Sequence, residues 1–267
     1  MIISHRHRYV FVEVPRTGST AISAELRENY DGHLILRKHA SYRDFLRVAS
    51  ADEREYFTFS AVRNPLDIAV TRYVRLKDDV QELYRDPTKV AVRNSLAGRL
   101  ERRIYAWVQR TDADFERFLR RWYLLPYDTW TTLDHDRMDA VIRFESLTAD
   151  FDATLERMGI TPVRGLPVMN ATPGRDRDWE RHYTPGAMRR AIWVFGPYME
   201  RWGYEFPESW GAVRVPFWSR LLYRVAHVVR SVYWKYFRFA DYVKRRPGGV
   251  MAIPRDEQAH VERGRAD

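Results

Sequence analysis

Cysteine is absent from the 267 residues. That excludes disulfides, thiolate nucleophiles and cysteine-based metal sites, and leaves the redox compartment unreadable from this residue. No stretch of about 18 uninterrupted apolar residues occurs, so no membrane-spanning helix is expected. Polar and basic residues (Ser4, His5, Arg6, His7, Arg8) lead straight into the first apolar run. No secretory signal is read there, and a cytoplasmic location is expected. His5 and His7 have metal-like spacing but no partner ligands nearby, and read as surface residues.

What is present suits one large α/β domain, or a domain plus an appendage: 45% hydrophobic and 14% aromatic residues provide for a sizeable core. The net charge is +9, and positions 214–246 hold nine Lys/Arg against one acid, Asp241, a local excess of +8. The rest of the chain is close to neutral, so the basic balance does not point the main domain towards nucleic acid.

Strand and helix patterns alternate. Tyr9 to Val14 is a short β-rich apolar run bounded by Pro15, read as a buried parallel strand. Thr17-Gly18-Ser19-Thr20 is a small-residue turn, and Ala21 to Asn29 has helical spacing. Leu34 to Leu36 is expected as a second strand, Phe57 to Val62 as a third and Ala140 to Phe144 as a fourth. Helices are expected from a Ser41 cap through Ala49, and over Leu66 to Lys77 and Asp112 to Trp122. Two more are expected, from a Ser146 cap to Met158 and from a Thr184 cap to Trp202, with Pro185 at the first position of the last. Asp78 to Arg99 is polar and reads as irregular or a lid. The alternation predicts a parallel sheet.

The strand–turn–helix at Val10 to Asn29 is an anion-binding device. Backbone N–H groups and the helix dipole converge there, Arg16 adds a full charge, and Ser19 and Thr20 add hydroxyls. The plainer reading is an ordinary βα turn. The triphosphate pattern Gly-x-x-x-x-Gly-Lys-Ser/Thr is missing, because no Lys precedes Ser19, which disfavours a kinase. A second polar constellation follows the third strand. Arg63 stands at its end, where it offers a fork for phosphate, and Thr71 stands two helical turns on. Taken singly, each is as well explained by a capping salt bridge or an ordinary helix hydroxyl.

Together these segments resemble the sulfotransferases that use 3′-phosphoadenosine-5′-phosphosulfate (PAPS), most closely the bacterial and carbohydrate-type branch. Val14 to Thr20 resembles the family's 5′-phosphosulfate loop. Arg63-Asn64-Pro65, three residues, then Ala69-Val70-Thr71-Arg72-Tyr73 resembles its 3′-phosphate motif. Similarity extends from Tyr9 to about Phe206. The resemblance implies an α/β, P-loop-like three-layer fold around a central parallel sheet over 1–210. Beyond it, the residues themselves read as a basic amphipathic helical appendage over 211–246 and a polar, disordered tail over 247–267. It implies that Arg16, Thr17, Gly18, Ser19 and Thr20 hold the 5′-phosphosulfate and that Arg63 and Thr71 hold the 3′-phosphate. Asn170, Gly174 and Arg175 would lie in the closing cofactor loop, with Arg177 an alternative to Arg175. No metal is implied.

Arg16 departs from the family's usual Lys: it can stabilise the leaving phosphate but cannot readily donate a proton. His39 is the expected base that takes the acceptor's proton, with Glu13 and Glu25 as rivals, Glu13 read as a strand-face residue and Glu25 as a solvated helix acid. Lys38 could steady the sulfonate. The acceptor implied is a hydroxyl, of a saccharide or glycolipid. Two alternatives stand beside this reading: a nucleotide or phosphoryl kinase, and a PAPS-binding protein with weak or lost turnover.

Phe217 to Val243 combines a broad apolar face with a basic stripe at near-helical spacing, including Arg220, Arg224, Arg230 and Lys235. Three readings are open for it: packing on the main domain, self-association, or peripheral contact with an anionic membrane.

Overall fold

The computed structural model describes residues 1–79, 82, 84–86, 96–167 and 178–236. They divide into two compact units. The first is built on Met1–Arg63 and Thr129–Asn170, with the chain from His227 assigned to it; the second is built on Asn64–Asp128 and Ala171–Ala226.

The first unit carries a five-stranded sheet: β1 (Ile2–Ser4), β2 (Tyr9–Val12), β3 (His33–Leu34), β4 (Phe57–Val62) and β5 (Ala140–Arg143), in the order β3-β1-β2-β4-β5. β2, β4 and β5 pair in parallel, whereas β1 runs antiparallel to both β2 and β3. The expected all-parallel sheet is therefore corrected to a mixed one. Ile2–Ser4 was not read as a strand, because three residues ahead of a basic turn show no usable period. The turn back into β2 ends on Arg8 in the left-handed region, φ 53°. β3 is also shorter than expected, closing at Leu34; Leu36 stands at φ 52°, off any strand geometry.

All four residues of β2 are buried because both sheet faces are covered. Tyr9 and Phe11 pack with Ile22 and Leu26 of α1 (Ser19–Asn29) and with Phe151 and Leu155 of α6 (Leu147–Arg157). Val10 and Val12 pack with Phe45 and Val48 of α2 (Tyr42–Val48) on the other face. This double burial is why the strand reads as an unbroken apolar run. Two polar side chains on β4 are paired internally: Ser60 Oγ donates to the Val12 carbonyl at 2.7 Å, and Thr58 Oγ1 donates to Asp139 at 3.0 Å. Ser41 caps α2 as expected, within a full capping box with Asp44. Ser146 stands ahead of α6, but its side chain makes no cap bond.

The second unit is helical: α3 (Pro65–Lys77), α4 (Leu96–Thr111), α5 (Phe115–Trp122) and α7 (Pro185–Trp202) share a core that includes Leu66, Tyr73, Phe118 and Phe195. Positions 96–99, read as irregular, begin α4. Asn64, Asp114 and Thr184 each accept a backbone N–H at their helix starts, and Gly203 (φ 64°) ends α7. Pro197 lies inside α7 and has no N–H for the Trp193 carbonyl. The hydroxyl of Ser219 donates to that oxygen instead, at 2.5 Å. Ser219 belongs to α8 (Phe217–Tyr236), the eighth helix among the described residues. The expected extension to Val243 and the tail 247–267 lie outside the described residues.

Candidate functional site

α1 carries the chain from β2 past β1 to β3, over the Tyr9–Phe11 face. α2 returns it to β4 over the opposite face, on the other side of β2. The connections therefore diverge between β2 and β4, at the carboxyl ends of those strands. Open α/β sheets bind ligands at such a switch point. Most of the residues singled out in the first unit gather here.

After β2 the chain reverses through two left-handed positions, Arg16 (φ 69°) and Gly18 (φ 76°). Only the second is a glycine. A Cβ on Gly18 would stand 2.7 Å from Leu147 Cδ2 and 3.3 Å from Phe144 Cδ2, so both its conformation and its space require glycine. Gly18 is the N-cap of α1 and no side chain caps the helix. Ala21 and Ile22 donate their N–H groups to the Gly18 carbonyl, and the first helical turn carries the positive end of the helix dipole. Thr17 is buried, and its hydroxyl donates to the Val14 carbonyl at 2.9 Å, closing the loop on itself. Arg16 is exposed, and among the described residues its guanidinium has no hydrogen-bond or ion-pair partner.

Lys38 and His39 reach the same place from the segment after β3. Lys38 Nζ lies 3.4 Å from Thr20 Oγ1. His39, at φ 60°, places Nδ1 3.1 Å from the Glu13 carbonyl. A carbonyl can only accept, so Nδ1 carries the hydrogen and Nε2 is left with its lone pair. Burial lowers the His39 pKa, outweighing the Glu13 carbonyl and carboxylate, which raise it, so the ring is neutral near pH 7. The rival bases are engaged elsewhere. Glu13 is buried and accepts from the Met1 amino group; burial raises its pKa, but the ammonium together with His39 and Lys38 leaves it lowered overall. Glu25, read as a solvated acid, is fully buried and bonded by Arg164 Nε at 3.0 Å and by Asn29.

Arg63 ends β4 and is only 6% exposed. Its Nη1 donates to the Arg16 carbonyl at 3.1 Å, and its guanidinium carbon lies 4.3 Å above the Phe144 ring. Phe144 was not singled out from sequence. The β4–β5 register, Val62 opposite Arg143, is what sets it level with Arg63, each one step past that pair; an aromatic closing the fourth strand was the available signal. Thr71 belongs to the second unit, where its hydroxyl lies 3.2 Å from Asp67 Oδ1, one turn earlier in α3. Asn170, Gly174, Arg175 and Arg177 lie outside the described residues.

No family model, no curated protein and no solved structure matches this chain.

Proposed function

We propose that this chain is a PAPS-dependent sulfotransferase acting on a hydroxyl acceptor of the saccharide class. The observation that carries the reading is the meeting of Lys38, His39 and the uncapped start of α1 at one switch point. The donor set fits a dianionic phosphosulfate: backbone N–H groups, the Thr20 hydroxyl, and the cations Arg16 and Lys38. The finer fold reading, a P-loop-like three-layer arrangement, rests on the same strand–loop–helix and on the helices covering both sheet faces.

PAPS would supply an activated sulfonate whose bridging S–O bond breaks as a new S–O bond forms to the acceptor oxygen. His39 takes the acceptor's proton on Nε2, the nitrogen left open by the bond to Glu13. Lys38, beside Thr20, supplies the ammonium that Arg16 in the loop does not, and steadies charge on the transferring group. Arg63 holds the loop's backbone through the Arg16 carbonyl and is assigned to the 3′-phosphate. The remaining contribution is positioning.

Calorimetry with 3′-phosphoadenosine-5′-phosphate against ADP tests the donor assignment. Preference for the 3′-phosphorylated nucleotide is expected, and equal affinity would overturn it. Transfer of labelled sulfonate from PAPS to a saccharide panel tests turnover. Tight nucleotide binding with no transfer to any hydroxyl acceptor would favour a binding protein, the reading for which Arg16 in place of Lys speaks.

A further inference from the structure

α8 turns a continuous apolar face outward. A helix on a protein surface ordinarily turns its apolar stripe inward and its polar residues to water. Here the covered side mixes Ser219, Tyr223, His227 and Arg230 with Ala226 and Trp234. Ser219 and Tyr223 are buried, bonded to the Trp193 carbonyl and to Arg201 Nη1. The outward side is apolar. At 3.6 residues per turn, Phe217, Val228, Leu221, Val225, Val229 and Tyr233 succeed one another around an arc of roughly 160°. The large apolar residues of this helix that face outward are each between 40% and 68% exposed. Isolated exposed apolar side chains are ordinary, but a continuous face of them marks an interaction surface.

The charge around the arc selects the partner. Arg220 and Arg224 flank one edge, Arg220 paired with Glu200 and Arg224 without an ion-pair partner among the described residues. Positions 214–246 as a whole carry nine Lys/Arg against one acid. A second copy laid on this face would bring the same cations into contact with these, which opposes self-association. Anionic lipid headgroups complement them, and the acyl boundary accepts the apolar arc. Trp218 and Tyr236, on the same face, are residue types favoured at that boundary. No helix among the described residues is long and apolar enough to cross a membrane, so the contact is in-plane.

We infer that α8 docks flat on an anionic lipid bilayer, its apolar arc in the headgroup–acyl boundary and its cations at the phosphates. The inference does not depend on sulfonate transfer. Co-sedimentation of the full chain with phosphatidylcholine–phosphatidylglycerol vesicles and with pure phosphatidylcholine vesicles tests it. Preferential binding to the anionic vesicles is expected, with a loss of about tenfold or more in V225E/V228E. Both positions are solvent-exposed, and unchanged circular dichroism confirms that the variant folds. Three results would overturn it: a variant that stays on vesicles like the parent, a parent indifferent to lipid charge, or a parent that ignores vesicles. If the parent ignores vesicles but doubles its mass in light scattering, the arc is assigned to a second copy.

Discussion

Arg63 is bonded to the backbone of Arg16: its Nη1 donates to the Arg16 carbonyl at 3.1 Å while its guanidinium carbon lies 4.3 Å over Phe144. One buried cation thus props a loop residue held at φ 69°. The prop needs a planar fork that can stack and donate at once, which Lys cannot supply.

Arg63→Lys is therefore not conservative. A loss of roughly 1–3 kcal/mol is expected in urea denaturation, from the broken charged hydrogen bond and the lost stacking. Affinity for 3′-phosphoadenosine-5′-phosphate should fall with it. Wild-type stability in Arg63→Lys would show that the Arg16 carbonyl is not held this way.

Gly18→Ala meets two penalties at one atom. The left-handed backbone costs an alanine about 1–2 kcal/mol, and the contact with Leu147 adds overpacking of about 1–3 kcal/mol. The gain in helix propensity from replacing a glycine is at most about 1 kcal/mol, and an N-cap position does not realise it. A net loss is expected in thermal melts. Gly18→Ala combined with Leu147→Ala should recover the steric part and leave the backbone part.

The His39 pKa lies below its ordinary value of 6.5, so the unfolded chain takes up the proton first as pH falls. The stabilisation is complete above the unfolded value and is lost as pH drops from about 6.5 through the folded value. Stability of the wild type should fall more steeply than that of His39→Gln across this window. The acid limb of kcat/KM for transfer should have its midpoint below 6.5. His39→Gln should lower transfer by about 10²–10⁴-fold while still binding 3′-phosphoadenosine-5′-phosphate. Transfer at the parent rate in that variant removes His39 from the base role.

Ser219→Ala would leave the Trp193 carbonyl without its donor, since Pro197 offers none. With Ser219 fully buried, a cost of about 1–3 kcal/mol is expected. Pro197→Ala in the Ser219→Ala background should return part of it, because an alanine N–H at position 197 can reach that oxygen. Additive effects of the two substitutions would show that they do not share the carbonyl.

Local signals were legible wherever a few neighbouring residues decide the outcome. The run Tyr9 to Val12 announces a strand buried on both faces, Ser41 and Thr184 announce helix starts, and Gly18 announces a reversal. Each follows from side-chain size, β-branching or capping chemistry within one turn. The tertiary structure decided what depends on partners far along the chain. Glu25 looks like a solvated acid until Arg164, 139 residues later, closes over it. β1 is a strand only because β2 and β3 flank it. Lys38 becomes a neighbour of the Val14–Thr20 loop only when β3 and β2 join one sheet, and Arg63 meets Phe144 only through the β4–β5 register. Pairings of this kind carry no period and no local cost, so they are set by packing and not by sequence spacing.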